Sequence, residues 1–175
     1  MTREISESFR EAIDTQESEV FPIVFLEIKH PSLLESVRIV QNGANIKLDA
    51  SDPDNRAYQG FDFDISILAD SDKPPSAQLR VQNIDRQIGV VLLDISEPAI
   101  IDMRIFSSAL FDESVTPHEP LAPNPVAEYT ALNLYLIDVE IKNDFVTGTL
   151  KTWEYTQETY PTIFATEDRT PGLYW

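Results

Sequence analysis

The side chains that could act as acid, base, nucleophile or ligand are few and poorly grouped. The only two histidines are His30, directly before Pro31, and His118, inside a proline-rich stretch. Neither has the spacing that a catalytic triad or a metal motif requires, and both read as surface loop residues. Cysteine is absent, which excludes a thiol nucleophile, a disulfide framework and any thiolate-bound zinc or iron–sulfur group. The run Asp49-Ala50-Ser51-Asp52-Pro53-Asp54-Asn55 gathers oxygens that could surround a hard cation such as calcium. It lacks the glycine and distal glutamate of an EF-hand loop, so a solvated loop is the expectation. Asp62 and Asp64, two apart, would share a strand face and could form a carboxylate pair for acid–base work, although alternation with Phe61 and Phe63 fits a wetted sheet face better. Five scattered glycines build no phosphate cradle. Trp153, Tyr155 and Tyr160 could stack on a sugar ring, but their alternation at a hairpin end fits core packing better. The expectation is therefore no enzyme, with no catalytic, cofactor-binding or metal residue and no cofactor.

The elements that would position these residues are mostly strands. Ser8-Phe9-Arg10-Glu11 has capping-box spacing, and Phe9, Ala12 and Ile13 share a helical face, predicting a short helix over 8–15. Val20 to Ile28 is too short and too β-branched for a helix and predicts a first strand, with Pro22 suiting a strand start or an edge. Val37 to Gln41 and Ala44 to Leu48 flank Asn42-Gly43, the pair that favours a tight hairpin turn. Tyr58 to Leu68 alternates Phe61, Phe63, Ile65 and Ile67 with Asp62, Asp64 and Ser66, a half-buried strand with an acidic face. After Pro74-Pro75, the run Ala77 to Val81 predicts another strand, and Ile84, Ile88, Val91 and Leu92 predict a second short helix over about 84–93. Ala99 to Leu110 reads as a strand with Asp102 and Arg104 facing water.

Residues 111–128 carry Pro117, Pro120, Pro123 and Pro125 with no apolar period, which predicts an extended surface arm. Ala131 to Ile141 and Phe145 to Tyr155 alternate on either side of Lys142-Asn143-Asp144, a long hairpin. A tail over about 160–175 ends in Leu173-Tyr174-Trp175, bulky apolar groups that either fold back or dock on a neighbour. Many strands, one or two short helices and no βαβ rhythm place the chain in the mainly β class, β-rich α+β, as an antiparallel barrel or sandwich.

Composition limits the partners. The chain has 175 residues, enough for a single domain over 1–175 with a substantial core, and 42% of them are hydrophobic. Thirteen Lys and Arg face 30 Asp and Glu, a net charge of −17, which repels phosphate backbones and anionic lipid. Met1 to Glu7 lacks the basic and apolar regions of a signal peptide, and no apolar run reaches the roughly 20 residues that cross a bilayer. Folding in a reducing cytosol is expected from the lack of cysteine.

Three stretches resemble the minor tail proteins of long-tailed bacteriophages, in particular a domain family of unknown function found in their tail modules. They are Phe9-Arg10-Glu11-Ala12 with the strand ending Ile28-Lys29-His30-Pro31; Pro74-Pro75-Ser76-Ala77-Gln78-Leu79-Arg80-Val81-Gln82-Asn83-Ile84-Asp85-Arg86; and Thr170-Pro171-Gly172-Leu173-Tyr174. The middle stretch is also similar to a segment of the lambda-type tail-tip hub proteins. The resemblance implies a fold akin to the tail tube and a place in the virion tail, assembled in the host cytoplasm. The chain would join copies of itself in a threefold or sixfold ring between the tail tube or distal tail ring and the hub or central fibre, with DNA passing through unbound. The iron–sulfur domain that such hubs can carry does not transfer to a chain without cysteine. Edge strands such as Val20 to Ile28 and the 111–128 arm would contact the neighbours, and Asp62 and Asp64 would face the lumen. The alternative is a β-sandwich binding module for carbohydrate or a small ligand, with Trp153, Tyr155 and Tyr160 as its platform. An acid–base hydrolase built on Asp62 and Asp64 is a third class.

Overall fold

The computed structural model describes residues 6–15, 18–31, 33–48, 56–66, 76–82, 98–142 and 144–152. The order is helix α1 (Glu7–Asp14), then β1 (Pro22–Lys29), β2 (Val37–Gln41), β3 (Gln59–Phe61), β4 (Phe63–Ile65), β5 (Ser76–Gln82) and β6 (Ile100–Ser107). A short 3-10 turn (Ser108–Leu110) leads into β7 (Phe111–Asp112), β8 (Glu119–Pro120), β9 (Tyr129–Ile141) and β10 (Phe145–Lys151). The fold is mainly β. The expected helix over 84–93 and the 49–55 loop lie outside the described residues, as do Trp153, Tyr155, Tyr160 and the whole 160–175 tail.

Eight strands form one sheet in the order β3-β2-β1-β6-β9-β10-β5-β4, and β7 pairs with β8 separately. The large sheet is mixed, not wholly antiparallel, because β2 and β3 run parallel. Among the described residues its ladder ends at β3 and β4 and is not closed by pairing. Yet these two ends are consecutive in the chain, with Asp62 alone between them. Eight strands laid flat at about 4.8 Å spacing would hold the ends roughly 34 Å apart, so the sheet must curl until they meet. A bond crosses the seam, the Gln41 side-chain amide of β2 donating to the Phe63 carbonyl of β4 at 2.8 Å, and the Gln82 N–H of β5 extends the β4–β5 ladder by donating to the Asp62 carbonyl at 3.3 Å.

Alternation fills the inside of the curl. Leu26, Ile28, Ile39, Phe63, Leu79, Val81, Ile101, Met103, Leu134, Leu136 and Leu150 bury together, joined by Phe9 from α1. The helix is capped by Ser6, whose hydroxyl accepts from the Phe9 N–H at 3.3 Å, and not by the predicted Ser8. Ser6 is held there by Glu128, which accepts from its N–H at 2.9 Å and from its hydroxyl at 2.6 Å. The other face of β1 builds a second cluster, in which Ile23 and Phe25 pack with Val40, Ile46, Tyr58, Phe106 and Phe111. Phe25 is its hub, with ring centroids 5.0 Å from Tyr58, 5.1 Å from Phe106 and 5.6 Å from Phe111.

Burial on both faces explains the unbroken apolar run of β1, and it overturns the expectation that Val20 to Ile28 offers an edge. β1 pairs with β2 on one side and with β6 along its full length on the other. The predicted Asn42-Gly43 hairpin is also overturned. The two edges of β2 are taken by β1 and β3, so Ala44 to Leu48 has no place beside it; Ile46 instead bridges to Tyr58 and to His118. Gly43 does not adopt a positive φ, as the tight turn would need. The 111–128 segment is likewise not an unstructured arm. It folds on its own body through β7 and β8, through backbone bonds of His118 to Asn45 and Lys47, each 2.8 Å, and through buried Phe111. The long hairpin of β9 and β10 is present as predicted over its described length.

Candidate functional site

The outer face of β1, β2 and β6 carries a charged network that the strand alternation places there. Glu27 and Asp102 stand directly opposite each other in the β1–β6 ladder, and Arg38 of β2 stands opposite Glu27 on the other side. Lys29 Nζ donates to Asp102 Oδ2 at 2.7 Å and lies 3.6 Å from Glu27 Oε2. Glu27 Oε1 also accepts from the Ser36 hydroxyl at 2.7 Å and from Arg38 Nε at 3.3 Å. Asp102 Oδ1 accepts the Asn133 N–H at 2.9 Å, where β9 carries a bulge relative to β6 and Asn133 has φ 57°.

This network is structural in its geometry. Burial pushes the Asp102 carboxyl up, but the Lys29 and Asn133 hydrogen bonds and the charges of Lys29 and Arg104 outweigh it and hold the group below its usual value. Glu27 behaves alike: burial raises it, and Ser36, Lys29 and Arg38 together bring it down. The bond to Asp102 holds the Lys29 ammonium up, and burial, with the Glu27 charge, pushes the Tyr58 phenol up. Paired carboxylates held ionised in this way pin strands together; they are not poised to give up or take a proton. Asp102 is only 7% exposed, contrary to the wetted position expected for it, because the β9 bulge turns a backbone N–H toward it that needs an acceptor.

Asp62 and Asp64 fall where alternation put them, exposed on the outer face beside the seam. Asp62 Oδ2 accepts from the Gln82 amide at 2.6 Å, and Asp64 stands opposite Arg80 of β5. With Asp144 and Phe145 they line a groove of about 510 Å³. The Arg80 guanidinium lies 4.1 Å from the Phe145 ring centre, a cation–π contact that occupies the aromatic face. The arrangement offers an acidic, water-facing surface and, among the described residues, brings no histidine or nucleophile to the two carboxylates.

The histidines part company. His30 is buried at 9% exposure, not a surface residue, because the chain turns back at once after β1, with the Leu33 N–H donating to the His30 carbonyl at 3.0 Å. His118 stays partly exposed, its Nδ1 2.7 Å from the Val115 carbonyl. Among the described residues no group of three or more His, Cys, Asp or Glu could hold a metal, and no helix is long and apolar enough to cross a membrane.

Of the seven large apolar side chains exposed among the described residues, three lie on the proline-rich loop, the others being Phe21, Leu34, Leu132 and Val139. Val126 is 79% exposed, Leu121 67% and Val115 41%. Beside them a groove of about 330 Å³ lies between the loop and the outer face of β6 and β9. The apolar pattern could not announce this surface, since isolated Val and Leu between prolines have no period to read.

Residues 8–164 match the family described as a domain of unknown function, DUF1833. The chain belongs to that family. DUF1833 therefore spans every described strand and α1 from its second residue, so the curled sheet and its loop-built outer cluster lie within the family's domain, while Leu173-Tyr174-Trp175 falls beyond the matched residues. No curated protein matches the chain.

Proposed function

We propose that the chain is a structural, non-catalytic subunit of a bacteriophage tail tip. Copies of it form a threefold or sixfold ring that connects the tail tube to the hub or central fibre and lets DNA pass. The observation that carries this reading is the set of exposed apolar side chains, Val115, Leu121 and Val126, presented by an ordered loop on a chain of net charge −17. A charge of that size keeps free copies soluble and apart, while an apolar set on a fixed loop is suited to a protein neighbour. Asp62 and Asp64, exposed on the sheet's outer face, supply an acidic surface along which a phosphate backbone slides without sticking. The three sequence stretches similar to minor tail proteins point the same way. With β1 paired on both edges, contact with neighbours runs through the loop and not through that strand.

The test is complementation of a phage lacking the corresponding gene with L121D and V126D. Both side chains are exposed, so the variant proteins fold with unchanged thermal midpoints but enter few or no tails, and infectivity falls by orders of magnitude. Normal titres of tails containing either variant overturn the loop as the contact surface. A purified chain that stays monomeric and never co-purifies with tail proteins overturns the ring.

A further inference from the structure

Asn42-Gly43, the one Asn-Gly step in the chain, makes no tight hairpin, but it does have the geometry of an intramolecular reaction. The Gly43 N–H donates to the Asn42 side-chain Oδ1 at 2.7 Å, and no main-chain carbonyl among the described residues takes it instead. Cγ of that amide is only a C=O bond of about 1.2 Å from the same oxygen, so the nitrogen sits beside it. A small rotation of the side chain gives the separation of about 3–3.5 Å from which a bond forms. Gly43 is exposed, and a Cβ there would touch nothing within 4 Å. The pair lines a groove of about 440 Å³ with Gln41, Gly60, Phe61 and Asp62, so water and base reach the amide. Asn45 shows the contrast. Its Oδ1 is held by the Gly60 N–H at 2.9 Å, and the next nitrogen, that of wholly buried Ile46, donates to the Tyr58 carbonyl at 3.0 Å.

We infer that Asn42 is a self-modification site, converted to aspartyl and isoaspartyl forms by attack of the Gly43 nitrogen. The nitrogen gives its proton to hydroxide or a buffer base and bonds to Cγ; the Cγ–NH2 bond breaks, and ammonia leaves with a proton from solvent. Water then opens the five-membered succinimide. Adding at Cγ, it restores the main chain with an aspartate at position 42; adding at the α-carbonyl, it leaves the main chain running through Cγ, one methylene longer. The net change is one water consumed and one ammonia released, and the chain becomes one unit more negative than −17. Either product places its new carboxylate in the groove that holds Asp62. The isoaspartyl form also strains the seam. The Asn42 carbonyl oxygen lies 2.7 Å from the Cβ position of Gly60, where β3 runs beside β2, and the adjoining Gln41 carries the bond to the Phe63 carbonyl. An extra methylene there displaces the end of β2. This inference does not depend on the tail-tip reading.

Incubation of the full chain at mildly alkaline pH, followed by tryptic mass spectrometry, tests it. Cleavage after Arg38 and Lys47 yields residues 39–47, which hold Asn42 and Asn45 together. The folded chain is expected to give two new forms of this fragment, each heavier by a single mass unit, with the change at Asn42 and not at Asn45. Their formation quickens as pH rises and proceeds within a few-fold of the rate in chain unfolded by guanidinium chloride. G43A, whose methyl group meets open space at a φ that is not positive, keeps the thermal midpoint and slows the conversion by an order of magnitude. Conversion an order of magnitude slower in the folded chain than in the unfolded one, equal conversion of Asn45, or indifference to G43A overturns the site. N42D carries the charge without the added methylene, so it isolates the effect on the seam. Aged chain enriched in the isoaspartyl form is expected to unfold at a lower temperature than N42D, and equal midpoints overturn the strain at β2.

Discussion

The two faces of β1 bury their side chains in different kinds of core. Inside the curl, Leu26 and Ile28 meet aliphatic residues delivered by strand after strand in simple alternation. Outside, Phe25 meets Tyr58, Phe106 and Phe111, brought together by an isolated bridge, the end of β6 and the proline-rich loop. The inner core is a property of a sheet; the outer one is a property of connections packed upon that sheet. The difference teaches where the molecule is one cooperative unit and where it can yield locally.

Neighbouring substitutions in β1 separate the two. Phe25→Ala, at 1% exposure the centre of the outer cluster, is expected to cost about 3–5 kcal/mol, and Leu26→Ala about 2–5 kcal/mol, in chemical denaturation. Hydrogen exchange should distinguish them: F25A speeds exchange first at Ile46, His118 and Leu121, whereas L26A speeds it across β1, β6 and β9 together. Identical exchange patterns from both variants would show that the clusters are a single unit.

Two glycines probe how each layer takes up strain. A Cβ on Gly60 would meet the backbone oxygens of Asn42 at 2.7 Å and Ala44 at 2.9 Å, and backbone pinned by the Asn45 side chain, which accepts from the Gly60 N–H at 2.9 Å, cannot easily withdraw. Gly60→Ala is therefore expected to cost about 1–3 kcal/mol. A Cβ on Gly148 would meet the end of the Leu136 side chain at 2.6 Å, which can rotate aside, so Gly148→Ala should cost less, roughly 1 kcal/mol. The reverse order in thermal midpoints would mean that the inner core is the stiffer layer.

The smallest effect concerns the charged network on the outer face of β1, β2 and β6. Asp102 and Glu27 are held below their ordinary values, so their contribution is complete above the unfolded carboxylate value of about 4 and is lost as pH falls through the folded values. The unfolding midpoint should thus drop on acidification below about pH 5. Asp102→Asn should flatten part of that drop while lowering stability near neutrality by about 1 kcal/mol, modest because Lys29 is half exposed and keeps its hydration. An unchanged acid limb in D102N would remove Asp102 from the account.

Much of the fold could be read before any coordinates. Period-two alternation located β5, β9 and β10, placed Asp62 and Asp64 on the wet face, and identified Phe61, Phe63 and Ile65 as the inward set, since a side chain's face in a strand depends only on its parity. The site was less legible. Glu27 and Asp102 lie far apart in the chain, and only the β1–β6 register makes them partners. Asn42-Gly43 has the composition of a hairpin turn, but a local preference worth a fraction of the total yields when both edges of β2 are filled by strands from elsewhere. Prolines hid the order of 111–128 because its stability comes from main-chain bonds to Asn45, Lys47, Leu110 and Ile105, which no side-chain pattern encodes.

What the sequence by itself determined is the chemistry each strand could offer: which residues face inward, how acidic the surface is, and that no thiol is present. Tertiary structure alone decided which strands became neighbours, that the two ends of the sheet meet at Asp62, and that β1 is central and covered on both sides. The physical reason is that parity and charge are properties of a residue and its immediate neighbours. Strand order and the closing of a curl depend instead on contacts between distant segments, whose free energy is realised only when the whole chain is in place.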